Sequence, residues 1–278
     1  MNIGVHVSIA GGVQEAPLNA AKTGCECFQM FSRSPRGGPA PVLDEETLAA
    51  FYDNCKKGDI KNYYIHTPYY INLASAKDKI SESSIRIIRE ELERASILGA
   101  RAVMTHLGSA KDLGQKKALQ QTITGIRKIL KGYTGSAQFL IENSAGSGGT
   151  IIGNTFEEIG AIVSANKEYD IGVCFDTCHA FVSGYDLRTK TAVETTFKAF
   201  DKHIGSKRLK LIHANDTQKE LGSHVDRHEH IGHGQIGEKG FRALMQHSAL
   251  RSVDWILETP RDGKHISDLK NLKKFRNA

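Results

Sequence analysis

The stretch ARAVMTHLGSAKDLGQKKALQQTITGIRKILKGYTGSAQFLIE, residues 100–142, contains a strand pattern, a helix pattern and a second strand pattern in succession. Its β-rich ends, 100–107 and 137–142, fit short buried strands, and apolar residues recur at helical spacing through 115–131. Strands joined through a helix lie parallel in one sheet. The stretch therefore predicts a βαβ unit.

The same alternation runs through the whole chain. We predict eight strands, near residues 2–7, 24–31, 60–66, 100–107, 137–142, 170–176, 208–213 and 253–258. Helical patterns fall between them, near 11–22, 44–57, 80–98, 115–131, 155–167, 189–204, 238–247 and 265–276. Each unit has roughly 35 residues, which suits one strand and one helix with loops. We expect an α/β fold, a (β/α)₈ TIM barrel that forms one domain over residues 1–278.

An open doubly wound sheet is the competing architecture. In that fold a G-x-G-x-x-G turn follows the first strand where a dinucleotide binds, and this chain has none there. The GSGG at 146–149 lies too far from the next helix to serve, so we interpret it as a loop. The closed barrel is the simpler prediction.

Composition restricts the class of protein. Hydrophobic residues make up 40% and charged residues 24%, which is typical of a globular chain with a proper core. The net charge of +6 favours a polyanionic partner such as nucleic acid. The N-terminus has no signal-peptide pattern, and no apolar run approaches about 18 residues. We expect a cytoplasmic protein that is off the membrane, with its five cysteines reduced and mostly buried.

Imidazoles and carboxylates end the predicted strands, at the end of the barrel where such enzymes place their active sites. These strand-end residues are His66, His106, Glu142, Asp176, His213 and Glu258. Any one alone is better explained as a core histidine or a capping acid. Together they indicate metal, because clustered carboxylates repel one another unless a cation lies between them.

Three more candidate ligands lie close by in sequence. His179 follows Asp176 by three residues, and Asp226 and His228 share the loop DRHEH after the seventh strand. For that loop alone, solvated charge is an equal alternative. Imidazole and carboxylate without thiolate suit zinc, with manganese or iron as substitutes. Nine donors with one shared carboxylate suit three ions.

The remaining histidines carry weaker signals. His224 and His233 lie near the same loop, with His230 between them, and their spacing does not decide a role. We expect surface positions on outer helices for His203, His247 and His265.

Several motifs resemble the endonuclease IV family of apurinic/apyrimidinic endonucleases. They are HVSIAGG at 6–12, YIHTPYYINLAS at 64–75, IENSAG at 141–146, GVCFDTCHAF at 172–181, IHANDTQKELGSHVDRHEHIGHGQIG at 212–237 and ILETP at 256–260. The resemblance implies a three-zinc phosphodiesterase on a (β/α)₈ barrel. Such an enzyme cuts double-stranded DNA on the 5′ side of an abasic site and leaves a 3′-hydroxyl. It also implies 3′-end cleaning by the same chemistry.

The resemblance also implies a ligand set for each ion. His66, His106 and Glu142 resemble the ligands of one zinc, and the third zinc resembles a site of His179, Asp226 and His228. The second zinc shares Glu142, which bridges, and its other ligands are Asp176, His213 and Glu258. Paired ions lower the pKa of a shared water, so no protein nucleophile is needed. Glu258 either orients that water or is a ligand only, and His6 is expected to support ligands rather than bind metal.

DNA contact is expected from loops above the same end of the barrel. The segment FSRSPRGGPAP at 31–41 carries Arg36, and Tyr69 and Tyr70 follow the third strand. The resemblance implies that these side chains fill the gap left by an extruded nucleotide. Here two tyrosines stand where the family has a tyrosine and an aliphatic residue. The alternative is a solvated Arg36 and tyrosines that only pack on the rim.

Two other classes of function compete. Sugar isomerases and epimerases use Glu, Asp and His at the same strand ends, and two metals would suffice for them. The D-x-H loop and the basic, tyrosine-bearing early loops favour the nuclease. A DNA-binding module without catalysis would not need nine metal donors. The nuclease is the interpretation we favour, and we expect it to act as a monomer.

Overall fold

The computed structural model describes residues 1–277, and eight parallel strands in it close into a barrel. The barrel strands are β1 (Ile3–His6), β2 (Cys27–Met30), β3 (Asn62–His66), β4 (Ala102–Thr105), β5 (Gln138–Glu142), β6 (Gly172–Asp176), β7 (Leu209–His213) and β10 (Asp254–Leu257). Neighbouring strands pair in the order β1-β10-β7-β6-β5-β4-β3-β2, and Ile3 opposite Trp255 closes the ring. Between β7 and β10, a separate antiparallel ribbon consists of β8 (Asp216–Thr217) and β9 (His228–Glu229).

Helices follow the strands, and the longer ones cover the outside of the barrel. They are α1 (Ala16–Thr23), α2 (Glu45–Lys57), α3 (Asp78–Leu98), α4 (Gln115–Leu130), α5 (Phe156–Ala165), α6 (Thr177–Val182), α7 (Lys190–His203), α8 (Gly237–Gln246) and α9 (His265–Arg276). Asp44, Thr155 and Thr189 cap helices by accepting a backbone N–H three residues on. These caps fix where α2, α5 and α7 begin.

The predicted barrel is confirmed, with small differences at the strand ends. β4 and β10 each stop one residue before His106 and Glu258, so these two side chains follow their strands. The helix expected at 11–22 starts later, as a 3-10 turn at Val13–Glu15 followed by α1. Gly11 and Gly12 have φ angles of 90° and 116°, which lie outside the helical region and delay the helix.

Apolar side chains fill two regions, one inside the barrel and one between strands and helices. The buried interior cluster consists of Cys27, Tyr64, Ala102, Met104, Leu140, Cys174, Leu211 and Ile256. These residues come from alternate strand positions, which place their side chains on the inner face. The interior cluster is a solid layer across the barrel, with polar side chains at the strand positions on either side of it.

The state of the cysteines and the apolar character of the helices bear on two of the expectations from sequence. All five cysteines are free and buried, as expected. Among residues 1–277, no helix is both long enough and apolar enough to cross a membrane.

Candidate metal centre and its cavity

A polar layer lies directly above the apolar interior cluster and follows from the two-residue period of strands. Residues i and i+2 share a face, so Tyr64 is followed on the inner face by His66, and Leu140 by Glu142. The same step leads from Ile256 to Glu258. The full layer consists of His6, Gln29, His66, His106, Glu142, Asp176, His213 and Glu258. All of the six strand-end residues predicted from the sequence are brought together here.

Glu142 lies at the centre of this layer and is fully buried. Its Oε2 is 3.0 Å from His66 Nε2 and 3.5 Å from His106 Nε2. Its Oε1 is 2.9 Å from His213 Nδ1 and 3.5 Å from His179 Nδ1. The two oxygens of one carboxylate therefore face two different sets of imidazoles, which is the arrangement that a bridging ligand requires.

Asp176 and Glu258 complete the set on the Oε1 side of Glu142. His213 Nδ1 is 3.4 Å from Glu258 Oε2 and 3.9 Å from Asp176 Oδ2. Glu142, Asp176, His213 and Glu258 each place one donor atom within 4.8 Å of the others. Donor atoms of His66, His106 and Glu142 also lie within 4.8 Å of one another. The side chains can thus surround two cations that share Glu142.

A third group consists of His179, Asp226 and His228, whose donor atoms also lie within 4.8 Å of one another. Asp176 caps α6 by accepting the N–H of His179 at 2.8 Å, so the sequence DTCH places His179 beside the layer. Asp226 oxygens lie 3.1 Å from His179 Nε2 and 3.3 Å from His228 Nε2. The Cys178 thiol adjoins this group, because its sulfur lies within 4.8 Å of a donor atom of Asp176 and of one of His228.

Two buried nitrogens in the third group test whether a cation fits. His179 Nε2 and His228 Nε2 are both buried and have no hydrogen-bond partner among the described residues. Buried polar atoms without partners are rare, and both of these point toward a carboxylate that they do not hydrogen-bond. A metal ion among the three side chains would satisfy all of them, so the donor set fits a metal.

The imidazoles are also held as metal ligands are held. In a ligating histidine one ring nitrogen binds the metal and the other is fixed by a carbonyl, an amide or a carboxylate. Four histidines show this pattern on the ring nitrogen opposite the one that faces their nearest carboxylate. The atoms that hold them are Thr67 O for His66 (2.6 Å), Asn143 O for His179 (3.0 Å), Glu258 O for His228 (3.1 Å) and Gln29 Oε1 for His213 (2.7 Å).

The pKa shifts describe a site that attracts positive charge. Burial raises the pKa of Asp176; burial acts in the same direction on Glu142, but the surrounding imidazoles outweigh it and hold the pKa of Glu142 well below its usual range. Burial alone would lower the pKa of His179, but Asp176 and Asp226 raise it to about 10. Burial lowers the pKa of His106 to about 4. At His179, a metal cation would replace the proton that the neighbouring carboxylates otherwise keep on the ring.

A cavity of about 1010 Å³ opens above the metal-binding groups. Its wall includes His66, His106 and His179 at the bottom, and Arg36 and Tyr69 at the mouth. Tyr69 is 71% exposed, and its ring edge packs on Phe31 at 5.2 Å between centroids. Within residues 1–277, Tyr70 is not part of this wall and is 38% exposed.

Comparisons with known proteins fit this geometry. A family described as Xylose isomerase-like TIM barrel matches residues 17–276. The probable endonuclease 4 of Nitrosopumilus maritimus is 39% identical over 99% of both chains. The crystal structure of endonuclease IV from Thermus thermophilus superposes with a TM-score of 0.86 at 33% identity, covering 100% of this chain and 98% of that one. The chain belongs to the endonuclease IV family.

The endonuclease IV family is a family of metal-dependent hydrolases that cleave DNA. A D-tagatose 3-epimerase-like protein has the same fold, with a TM-score of 0.72, 19% identity, and coverage of 100% of this chain and 98% of that one. Identity that low is a likeness of fold alone. The epimerase alternative therefore gains no support beyond the shared barrel.

Sequence reasoning missed three buried amides that organise this endonuclease IV family site. Gln29 Nε2 donates to Glu258 Oε1 at 2.7 Å, and Gln29 Oε1 is the atom that holds His213. Asn143 accepts the N–H of Asp176, and Asn215 donates to Asp176 Oδ2 at 2.7 Å. Gln29 carries a usable signal, since it is a polar residue in the middle of the apolar strand CFQM.

Some histidines lie elsewhere than the sequence suggested. His265 does not face outward but forms part of the cavity wall, because α9 begins at the barrel mouth. The His247 side chain is only 10% exposed, and its ring packs at a tilt of 33° on Phe197, with 4.9 Å between the ring centroids. His203 keeps 25% exposure of its side chain and pairs with Glu157.

His6 and His230 support the site from its edges. His6 Nδ1 accepts from Gln29 Nε2 at 2.9 Å, in agreement with the expected supporting position. His230 is buried and its Nδ1 donates to Asp268 on α9 at 2.7 Å, which anchors the segment that follows His228.

Proposed function

We propose that this chain is a zinc-dependent DNA-repair endonuclease that hydrolyses the phosphodiester 5′ to abasic sites and leaves a 3′-hydroxyl. The observation that carries the proposal is Glu142, whose two oxygens face two sets of donors beside a third set that includes Asp226. Three adjoining cation sites under one open cavity can neutralise the negative charge that builds up on a phosphodiester during hydrolysis. A small neutral sugar carries no such charge.

Each ion is assigned to one group of donors. His66, His106 and Glu142 would hold the first, and His179, Asp226 and His228 the third. The second would be held by Glu142, Asp176, His213 and Glu258. Bound divalent ions supply a lowered water pKa and positive charge against the phosphate oxygens. Zinc suits this imidazole and carboxylate set, and Mn²⁺ is a possible substitute.

The chain's own residues orient the reactants. Glu258 is 20% exposed in its side chain and lies in the cavity wall, where its carboxylate can orient the attacking water. Gln29 fixes Glu258 and His213 at once, so the water-orienting carboxylate keeps its position relative to Glu142. Glu142 and Glu258 are thus the proposed catalytic carboxylates, in addition to being ligands.

DNA is proposed to enter at the mouth of the cavity. Arg36 and Tyr69 line the wall on one side, where they can fill the gap left by an extruded nucleotide. Tyr70 lies next to Tyr69 but outside the wall and is 38% exposed, and we propose that it contacts the DNA beside Tyr69. The site would also remove blocked 3′ ends, because such ends present the same phosphodiester chemistry. We propose one catalytic domain over residues 1–278, acting as a monomer.

The direct test is a duplex that carries one tetrahydrofuran analogue of an abasic site. The expected product is a single nick immediately 5′ to the analogue, with a 3′-hydroxyl that a polymerase extends. Chelation should abolish the nick, and Zn²⁺ or Mn²⁺ should restore it. Cleavage on the 3′ side would overturn the proposal. So would an enzyme–DNA adduct trapped with borohydride on a duplex with a natural abasic site, because its aldehyde, unlike the tetrahydrofuran ring, can form a Schiff base.

Elemental analysis of gently purified protein tests the metal assignment separately. We expect three zinc ions per chain. A reproducible value of two with full activity would refute the third site and would return attention to isomerase-like chemistry. In the cleavage assay described above, a duplex without the analogue is the control for general nuclease activity.

A further inference from the structure

The loop after β2 that carries Arg36 is tied to α3 at both of its ends. Ser32 and Arg33 at its start are buried, whereas Ser34 and Arg36 are exposed. Pro41 at its other end is bound by the same helix. The loop therefore has two fixed ends and a short exposed tip, residues 34–40.

A buried ion pair holds the first end. The Arg33 and Glu91 side chains are 4% and 0% exposed, and Arg33 Nε donates to Glu91 Oε1 at 2.5 Å. Glu91 Oε2 accepts from Ser32 Oγ at 2.7 Å, and Arg33 also donates to Glu90 at 2.9 Å. A buried charge pair contributes little net stability compared with apolar packing, so its value lies in the geometry that it fixes.

Arg94, one turn further along α3, joins the two ends. Its Nε donates to Ser32 Oγ at 2.8 Å, and a terminal nitrogen donates to Ser32 O at 2.9 Å. The other terminal nitrogen donates to Pro41 O at 2.8 Å. A planar guanidinium can hold three acceptors in fixed directions, which an ammonium group cannot do.

The tip between these anchors is built to present Arg36. Gly37 N–H bonds back to Ser34 O at 3.3 Å, which closes a tight turn with Arg36 on it. Gly37 and Gly38 have φ angles of 118° and 100°, a region that favours glycine. Nothing lies within 4 Å of the positions where their side chains would be, so the tip makes no packing contact there. Its direction must then be set by the anchors.

We propose that Glu91 and Arg94 of α3 are positioning residues that hold the loop tip in the orientation needed to insert Arg36 into damaged DNA. This inference rests on the proposed function. In this role they contact neither DNA nor metal. They lower the entropy that the tip loses on binding, so their loss should weaken recognition of the abasic site more than binding to intact duplex.

Two independent variants test the proposal, so that the result does not depend on the correct folding of a single variant. Arg94→Met keeps the apolar stem of a half-buried side chain and removes all three hydrogen bonds. The pair replacement Arg33→Met with Glu91→Leu removes both buried charges together, which proteins tolerate far better than the loss of one. Arg89→Met is the matched control. Arg89 is another α3 arginine that binds three carbonyls, but those of Ile129, Lys131 and Gly132 at the end of α4.

The measurement is the ratio between the inhibition constant of intact duplex and the KM of the tetrahydrofuran duplex, at one salt concentration. We expect Arg94→Met and the pair replacement each to lower this ratio by about tenfold, chiefly through KM. Zinc content and kcat should stay near those of the parent. A 2-aminopurine base placed opposite the analogue changes its fluorescence when a side chain enters the base stack. We expect the parent to produce this change on binding and both variants to produce a smaller one.

The outcomes separate the inference from the proposed function. If the parent itself shows no preference for the tetrahydrofuran duplex, the proposed function fails. If the parent shows the preference and both variants keep it, the positioning role is wrong. An equal loss in Arg89→Met would also overturn it, because general loosening of α3 would then explain the effect. A fall in kcat together with zinc loss would likewise contradict a role confined to the loop.

Discussion

The two ends of the barrel interior both bury carboxylates, but they satisfy them in opposite ways. At the N-terminal end, Asp254 is 5% exposed and accepts four hydrogen bonds. The donors are the N–H and amide of Asn2 at 2.8 Å each, the amide of Asn62 at 2.6 Å and the hydroxyl of Tyr64 at 2.9 Å. Every acceptor position of this carboxylate is filled by the protein.

At the C-terminal end, the carboxylates face imidazoles that are already held from behind. Glu142 and Asp226 lie beside ring nitrogens, and two of those nitrogens have no hydrogen-bond partner among the described residues. A structural buried acid and a metal ligand therefore differ in the groups that surround their oxygens. A structural acid has fixed donors for all of its lone pairs, whereas a ligand faces imidazole nitrogens whose lone pairs suit a cation as well as a proton.

The largest expected effect comes from Glu142→Gln, which removes the charge that both sets of donors share. We expect activity on the tetrahydrofuran duplex to fall by at least about 1000-fold, because two cations lose a common ligand. Zinc content should fall with it. Single-turnover kinetics and elemental analysis measure the two quantities. Substantial turnover in a zinc-replete variant would mean that Glu142 is not the bridge.

A smaller and more selective effect is expected from Asp226→Asn. The neutral amide replaces the anionic partner of His179 and His228, so the third group should lose affinity while the Glu142 groups keep theirs. We expect about one zinc fewer per chain and a rate lower by about 100-fold. Unchanged zinc content with an unchanged rate would return the DRHEH loop to the role of solvated surface.

Much of this arrangement follows from the sequence, because the two-residue period of strands carries information across the barrel. The step from Leu140 to Glu142 repeats in most strands, so apolar interior and polar layer appear together in the one-dimensional pattern. Gln29 fits the same step from Cys27, so the interior face of β2 identifies it as a member of the layer although glutamine is not a usual metal ligand.

Other features depend on contacts that no local pattern contains. The ribbon of β8 and β9 is only two residues per strand and pairs across a loop, so alternation did not indicate it. Asp216 organises that region by accepting backbone N–H groups from a glycine-rich segment, among them those of Gly232, Gly234 and Gly237. The cavity position of His265 depends on how α9 meets the barrel mouth, which its own sequence does not encode.

The rim of the C-terminal end offers a test that leaves the metals in place. Arg36→Ala combined with Tyr69→Ala should reduce the preference for the tetrahydrofuran duplex over intact duplex by about tenfold or more, since the side chains that would fill the opened stack are gone. Tyr70→Ala should change the ratio less, because Tyr70 lies outside the cavity wall. Affinities measured at a single salt concentration decide this. A preference that does not change would leave both residues as rim packing.

The smallest effect on catalysis is expected at the opposite end of the barrel, from Asp254→Asn. An amide of the same shape cannot accept from all four donors, so part of the Asn2, Asn62 and Tyr64 cluster loses its partners. We expect the free energy of unfolding to fall by about 2 kcal/mol. The apolar interior cluster separates this end from the metal-binding layer, so zinc content and the rate per folded molecule should match those of the parent. Denaturant unfolding and active-site titration measure the two separately. If Asp254→Asn lost zinc as Glu142→Gln does, the two ends would not be independent, and the rule that distinguishes a structural acid from a ligand would fail in this barrel.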